Sequence, residues 1–145
     1  MASFKVDGLE ELQQAFTKAG NVPDEVKKEM LVEGGKVLMD SQAKIAREMG
    51  IYDQDSESRH AVDSIALTKP KLTEDGGVVS VTFKGKRTDK NHKTPVRNAE
   101  IMFINHYGKR GQSPRPFAEV SIAKDSERAV EASQATFDRW QKNNF

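Results

Sequence analysis

The chain has 145 residues, with 23 Lys and Arg against 22 Asp and Glu and no cysteine. That length suits one domain. The missing thiols exclude disulfides, a cysteine nucleophile and cysteine-based zinc sites, and a net charge of +1 excludes a globally basic, histone-like DNA binder. A hydrophobic fraction of 36% allows a modest core and leaves apolar surface to be finished against a partner.

The first predicted element is a helix after Asp7-Gly8, because Leu9, Leu12, Phe16 and Ala19 share one stripe of a 3.6-residue repeat and Gly20-Asn21 stops it. A long helix follows from about Val22 to Met49. Pro23 suits its first turn, and Asp24, Glu25 and Glu29 sit near the positive end of its dipole. Its apolar stripe is Val26, Met30, Val37 or Leu38, and Ile45, with Gly34 and Ser41 on the same face; small residues there let another backbone approach closely. Gly50 ends it.

Residues 50–60 read as an exposed polar loop. Residues 65–71 read as an edge strand limited by Pro70, Glu74 to Gly77 as a turn, and 78–84 as a strand, so that 65–71 and 78–84 form a hairpin. Glu100 to His106 reads as a third strand. Ser113 to Phe117 is a rigid lead-in to a last helix ending near Lys142, with Val120, Ala123, Val130, Phe137 and Trp140 close to one face. The expected fold class is α+β in a single domain over residues 1–145: a small antiparallel sheet of three or four strands packed against a long helix and a C-terminal helix, with a short N-terminal helix. No stretch approaches the ~20 apolar residues of a membrane span, and the first residues lack the apolar run of a signal peptide. The expectation is a soluble protein without a membrane partner.

The near-zero net charge conceals an asymmetry. Residues 1–60 hold 8 basic and 12 acidic side chains, a sum of −4; residues 61–145 hold 15 basic and 10 acidic, a sum of +5. The excess concentrates in an extended basic hairpin loop at about 84–98, carrying Lys84, Lys86, Arg87, Lys90, Lys93 and Arg97, with Lys109, Arg110 and Arg115 beyond it. These residues suit an electropositive tip that meets phosphate or an acidic protein surface, a solvated loop, or a basic half that contacts the acidic half of another copy. No aromatic residue lies between Lys84 and Arg97, which argues against base stacking there.

Catalytic constellations are absent from the pattern. His60, His92 and His106 have no metal-ligand spacing, and Asp53, Asp55 and Glu57 lack the glycine and terminal glutamate of a calcium loop. Gly50-Ile51-Tyr52 matches half of a nuclease motif, and no second half follows. Nothing assembles a nucleophile, a base and an oxyanion donor. A metal-dependent nuclease relying on His106 or Asp53 is the weakest reading, and no cofactor is expected.

Certain segments, in order, resemble a known family. They are Phe4-Lys5-Val6-Asp7-Gly8-Leu9-Glu10-Glu11-Leu12, the long second helix, Asp63-Ser64-Ile65, Ile101 to Gly108, and Pro114-Arg115-Pro116-Phe117 before a C-terminal helix. Together they are similar to the tailed-phage (siphophage) morphogenesis proteins, the small neck and tail-completion, or head–tail joining, components. His106 and Lys109 stand where that family tends to have an acid and a threonine. The resemblance implies a non-enzymatic structural virion protein that forms a homo-oligomeric ring, six-fold as the tail is, at the head–tail junction or tail end. It implies neighbouring neck, tail-terminator or tail-tube proteins as partners, contact with packaged DNA, and host cytoplasm as the site of assembly. It also marks Tyr107, Gly108, Arg115, Pro116 and Phe117 as a structural motif, with the Tyr107 ring packed beneath a turn and Phe117 anchoring the last helix. The alternative is a nucleic-acid-binding module built on the basic 84–98 loop.

Overall fold

The computed structural model of the chain describes residues 4–5, 22–51, 58–74, 76–89 and 92–144, with the backbone alone described at 4–5, 58–60, 87–89 and 92–94. It is a mixed helix and sheet structure. Near the start, Phe4–Lys5 forms a short strand, β1. The helix expected after Gly8 lies outside the described residues.

Helix α1 runs over Asp24–Glu48, with Pro23 at its N-cap and Asp24 and Glu25 in the first turn. It closes where the Met49 and Gly50 amides turn back onto the carbonyls of Ile45 and Arg47. Its buried face carries Met30, Leu31, Gly34, Leu38, Ser41 and Ile45, so Leu38 rather than Val37 continues the apolar stripe. Ser58–Asp63 forms a short helix, α2, that begins inside the expected 50–60 loop and runs beyond it, with Ala61 and Val62 fully buried. The acidic stretch Asp53 to Glu57 lies outside the described residues.

The strands described after α2 are β2 (Ile65–Leu67), β3 (Lys71–Thr73), β4 (Gly76–Val78), β5 (Ser80–Phe83), β6 (Lys86–Asp89) and β7 (His92–Arg97). The expected strand 65–71 is broken in two around Pro70, which has no amide to give a ladder. β2 pairs antiparallel with β5, Ile65 opposite Phe83 and Leu67 opposite Val81, and β1 adds to the far side of β5. β3 and β4 form their own ladder, Lys71 opposite Val78 and Thr73 opposite Gly76, so Gly76 and Gly77 belong to a strand rather than to the turn.

The expected third strand, Glu100 to His106, is instead a helix, α3 (Asn98–Tyr107). Its buried residues are Asn98, Ala99, Met102, Asn105 and His106, a helical spacing, while Phe103, Ile104 and Tyr107 face outward. A short apolar run such as Ile-Met-Phe-Ile does not distinguish the two periods, and here the polar members of the buried face disguise the helical one. Helix α4 (Phe117–Asn144) closes the chain.

Among the described residues, two apolar clusters hold these elements. The larger joins Ala43, Ile45, Ala46 and Ile51 with Ala61, Val62, Phe83, Ala99, Met102, Phe117 and Ala118. The smaller centres on Met30, Leu31 and Val79, with Leu67, Leu72, Val130 and Phe137 packed against it. Between them, α1 and α4 pack along much of their lengths. The face that α4 presents is small and polar: Ser121, Asp125, Ala129, Ser133 and Thr136 are buried, whereas Val120 and Ala123 of the expected apolar stripe are exposed and its members Val130 and Phe137 pack on the smaller cluster. The reason is close backbone approach. A Cβ placed on Gly34 would stand 2.5 Å from Ser133 Oγ and 3.1 Å from the Ala129 carbonyl oxygen. Ser133 donates its hydroxyl to the Met30 carbonyl at 2.7 Å, satisfying a polar group at the contact. Ser41 donates to Asp125 Oδ2 at 2.5 Å, and the Arg128 guanidinium bonds the other carboxylate oxygen at 3.0 Å. The Ser41 hydrogen bond, helped by Arg128, holds the Asp125 carboxyl below the usual carboxylate range against the opposing effect of burial.

Candidate functional site

The basic residues singled out from charge gather on an antiparallel ribbon. β6 and β7 pair with Lys86 opposite Arg97, Arg87 opposite Val96 and Asp89 opposite His92, with an irregularity between Arg87 and Asp89. The ribbon is clamped to the body at its root. The Asn98 amide donates to the Gly85 carbonyl at 3.0 Å, and the Asn98 side-chain amide donates to the Lys84 carbonyl at 2.8 Å. The side chains of Lys84, Lys86 and Arg97 are exposed there. Arg87 and Lys93 lie on the ribbon strands, their side chains outside the described residues, as is Lys90 altogether.

Lys86 and Arg97 are cross-strand neighbours of like charge, an arrangement that costs stability. Part of the cost is offset locally: Arg97 donates through Nε at 3.0 Å and Nη2 at 2.5 Å to one carboxylate oxygen of Glu100, one helical turn along α3. Both partners are about half exposed, so this pair contributes at most about 1 kcal/mol. Beside the ribbon root lies a cleft of about 380 Å³, lined by Thr68, Thr82, Phe83 and Ala99 with Lys84, Lys86 and Arg97 at its edge.

The second surface is apolar. Phe103, Ile104 and Tyr107 on α3 are 46%, 38% and 53% exposed, and Val120 at the start of α4 is 39% exposed. The Phe103 and Tyr107 rings, four residues apart, lie 4.6 Å from each other. Tyr107 therefore sits outside the turn rather than beneath it. The turn itself is made by Gly108 at φ +79, where a Cβ would meet the Gln112 carbonyl oxygen at 2.8 Å and the Pro114 nitrogen at 2.9 Å, leaving no room for another residue. Arg115 is exposed, its backbone amide donating to the Asn105 carbonyl at 2.8 Å; Pro116 is half-buried. Phe117 is fully buried. A strand over 100–106 would alternate Phe103 and Ile104 between two faces, whereas the helix puts both with Tyr107 on its outer side, the i, i+4 spacing of Phe103 and Tyr107 being the local signal for it.

Beneath this surface His106 is 2% exposed, its ring 4.4 Å from that of Tyr107 and 5.3 Å from that of Phe117. Burial holds its imidazole below the ordinary value of 6.5, and the Glu119 carboxylate pulls it partly back. The unfolded chain thus takes up a proton near pH 6.5 that the folded chain resists. Stability from this group is complete above that pH and is lost as the pH falls below it and through the lower folded value. The urea midpoint of the protein should decline as the pH is lowered from about 8 to about 5, where histidine changes charge, and a His106→Gln variant should show a flatter decline.

Among the described residues no group of three His, Asp or Glu is placed to hold a metal ion, and no helix is long and apolar enough to cross a membrane. Comparison with known proteins finds no family model, no curated protein and no solved structure that matches this chain.

Proposed function

We propose that the chain is a non-enzymatic structural subunit of a tailed-phage particle, forming a ring at the head–tail junction or tail end and joining or completing the tail. The observation that carries this reading is the exposed apolar face of Phe103, Ile104 and Tyr107 on α3. Such a patch on a small protein, followed in the chain by the exposed cations Lys109, Arg110 and Arg115, is the kind of surface that copies of a subunit cover in one another. In this reading the small antiparallel sheet of three or four strands, packed against the long helix and the C-terminal helix, is the subunit's scaffold. The ribbon carrying Lys84, Lys86, Arg87, Lys90, Lys93 and Arg97 extends toward a neighbouring neck, tail-terminator or tail-tube protein or toward packaged DNA. The partners are then further copies of the chain, in a closed ring that is six-fold where the tail is, and the protein resides in the virion after assembly in the host cytoplasm.

The test is the mass of the protein in solution together with its presence in purified particles. A mass that is a multiple of the monomer, with the protein found in the particles, is the expected result. A strictly monomeric protein absent from particles contradicts it. The second reading, a nucleic-acid-binding module, draws on the same cations. It requires DNA binding that weakens steeply with salt, with a shallower salt slope once Lys86, Arg87, Lys90 and Lys93 are replaced.

A further inference from the structure

We infer that the cleft at the root of the β6–β7 ribbon is a docking site for an acidic polypeptide segment that inserts an aliphatic side chain. This names the chemistry of the neighbour that the ribbon would grip, and to that extent it rests on the assembly reading. Three features support it. The cleft, about 380 Å³, is near the small end of the range of about 300–1,000 Å³ for ligand pockets and is lined by Thr82, Phe83 and Ala99, a mostly apolar wall for one or two side chains. Its edge holds Lys84, Lys86 and Arg97, with Lys86 and Arg97 fixed opposite each other on the ribbon, so an incoming carboxylate relieves a repulsion built into the ladder. Arg97 is held at the edge by its two bonds to one Glu100 carboxylate oxygen, so Lys84 and Lys86 are the cations that meet an incoming carboxylate.

The same geometry disfavours nucleic acid as the occupant. Stacking a base needs an exposed ring, and among the described residues the one ring in the cleft wall belongs to Phe83, which is 3% exposed and set edge-on to Phe117 at a centroid distance of 5.9 Å. A phosphate would satisfy the cations and leave the apolar wall unused. An acidic segment with an aliphatic residue uses both.

The experiment titrates the full chain with a fluorescein-labelled dodecapeptide alternating Glu and Leu, following anisotropy and the backbone amide resonances of Thr82, Gly85 and Ala99. Two control peptides replace Leu by Ser or Glu by Lys, and a thymidine dodecamer serves as the nucleic-acid probe. The expected result is binding of the Glu-Leu peptide with shifts at those three amides. Each control peptide should bind at least about tenfold more weakly, because each removes one of the two complementary features. The thymidine dodecamer should leave the three amides unmoved. A Lys84→Glu/Lys86→Glu variant should lose at least about tenfold in peptide affinity, and Lys84→Arg/Lys86→Arg should retain it. If the charge-reversed variant does not fold, the unsubstituted protein with the peptide set decides alone. Failure of the Glu-Leu peptide to shift these amides overturns the inference, as does a thymidine dodecamer that shifts them and displaces the peptide. The solution mass is measured on the same sample. A ring without peptide binding removes this site and leaves the assembly reading, whereas a monomer that binds the peptide does the reverse.

Discussion

Replacing Phe117 by alanine should lower the unfolding free energy by about 3–5 kcal/mol, the usual cost of truncating a fully buried phenylalanine. Phe117 is the first residue of α4 and is completely buried. Its ring meets Phe83 of β5 edge-on at 5.9 Å and His106 of α3 edge-on at 5.3 Å. One side chain thus ties the start of the last helix to the sheet and to the helix carrying the exposed apolar face. Its loss leaves a cavity bounded by three elements that cannot all close on it. At this chain length each kcal/mol corresponds to roughly 2–4 °C, so the melting temperature should fall by roughly 6–20 °C. Phe117→Leu keeps most of the volume and should cost less, and Arg115→Ala, on the exposed side of the same turn, should stay within about 0.5 kcal/mol. Urea denaturation of the three variants checks the series; a Phe117→Ala loss below about 1 kcal/mol would refute the anchoring role.

Gly34→Val should cost about 3 kcal/mol, the upper end of the range for overpacking. The added Cβ would stand 2.5 Å from Ser133 Oγ and 3.1 Å from the Ala129 carbonyl oxygen, and the second of these is backbone. Relief requires α4 to move away from α1, which would disturb the Ser133–Met30 and Ser41–Asp125 hydrogen bonds along the same contact. Gly34→Ala should cost less, because Ser133 can rotate aside and the helix regains about 1 kcal/mol of propensity. Adding Ser133→Ala to Gly34→Ala should recover stability, since it removes the nearer clash. Thermal melts of the single and double variants measure this coupling; strict additivity would show that α1 and α4 do not meet at Gly34.

These two sites also show how far the sequence could be read. Pro23 and Gly50 bracket α1 because their backbone restrictions act locally, and Gly34 and Ser41 announced a close-packed face through side-chain size alone. The partner of that face, α4, was harder to read correctly. It contributes Ser121, Asp125, Ala129 and Ser133, and hydropathy places such residues outside, although a close backbone contact favours them inside. Hydropathy finds Val130 and Phe137, which pack on the smaller cluster, together with Val120 and Ala123, which the fold leaves exposed. The helix α3 was hidden for a related reason: its buried side includes Asn98, Asn105 and His106, so its apolar residues alone resemble a strand. At the ribbon, counting charges found the cations. The like-charged pairing of Lys86 with Arg97, the Asn98 clamp and the adjoining cleft depend on register and long-range contacts that no local pattern encodes.

The proposed role turns on whether the apolar face of α3 is covered by another copy of the chain. The most direct test is the solution mass by light scattering of the protein and of a Phe103→Ser/Tyr107→Ser variant. Both residues are about half exposed, so these substitutions should leave the fold intact. The expected result is a closed oligomer for the unsubstituted protein and a folded monomer for the variant. A protein that stays monomeric at every concentration, or a variant that keeps the full oligomeric mass, would contradict the assembly role assigned to this face.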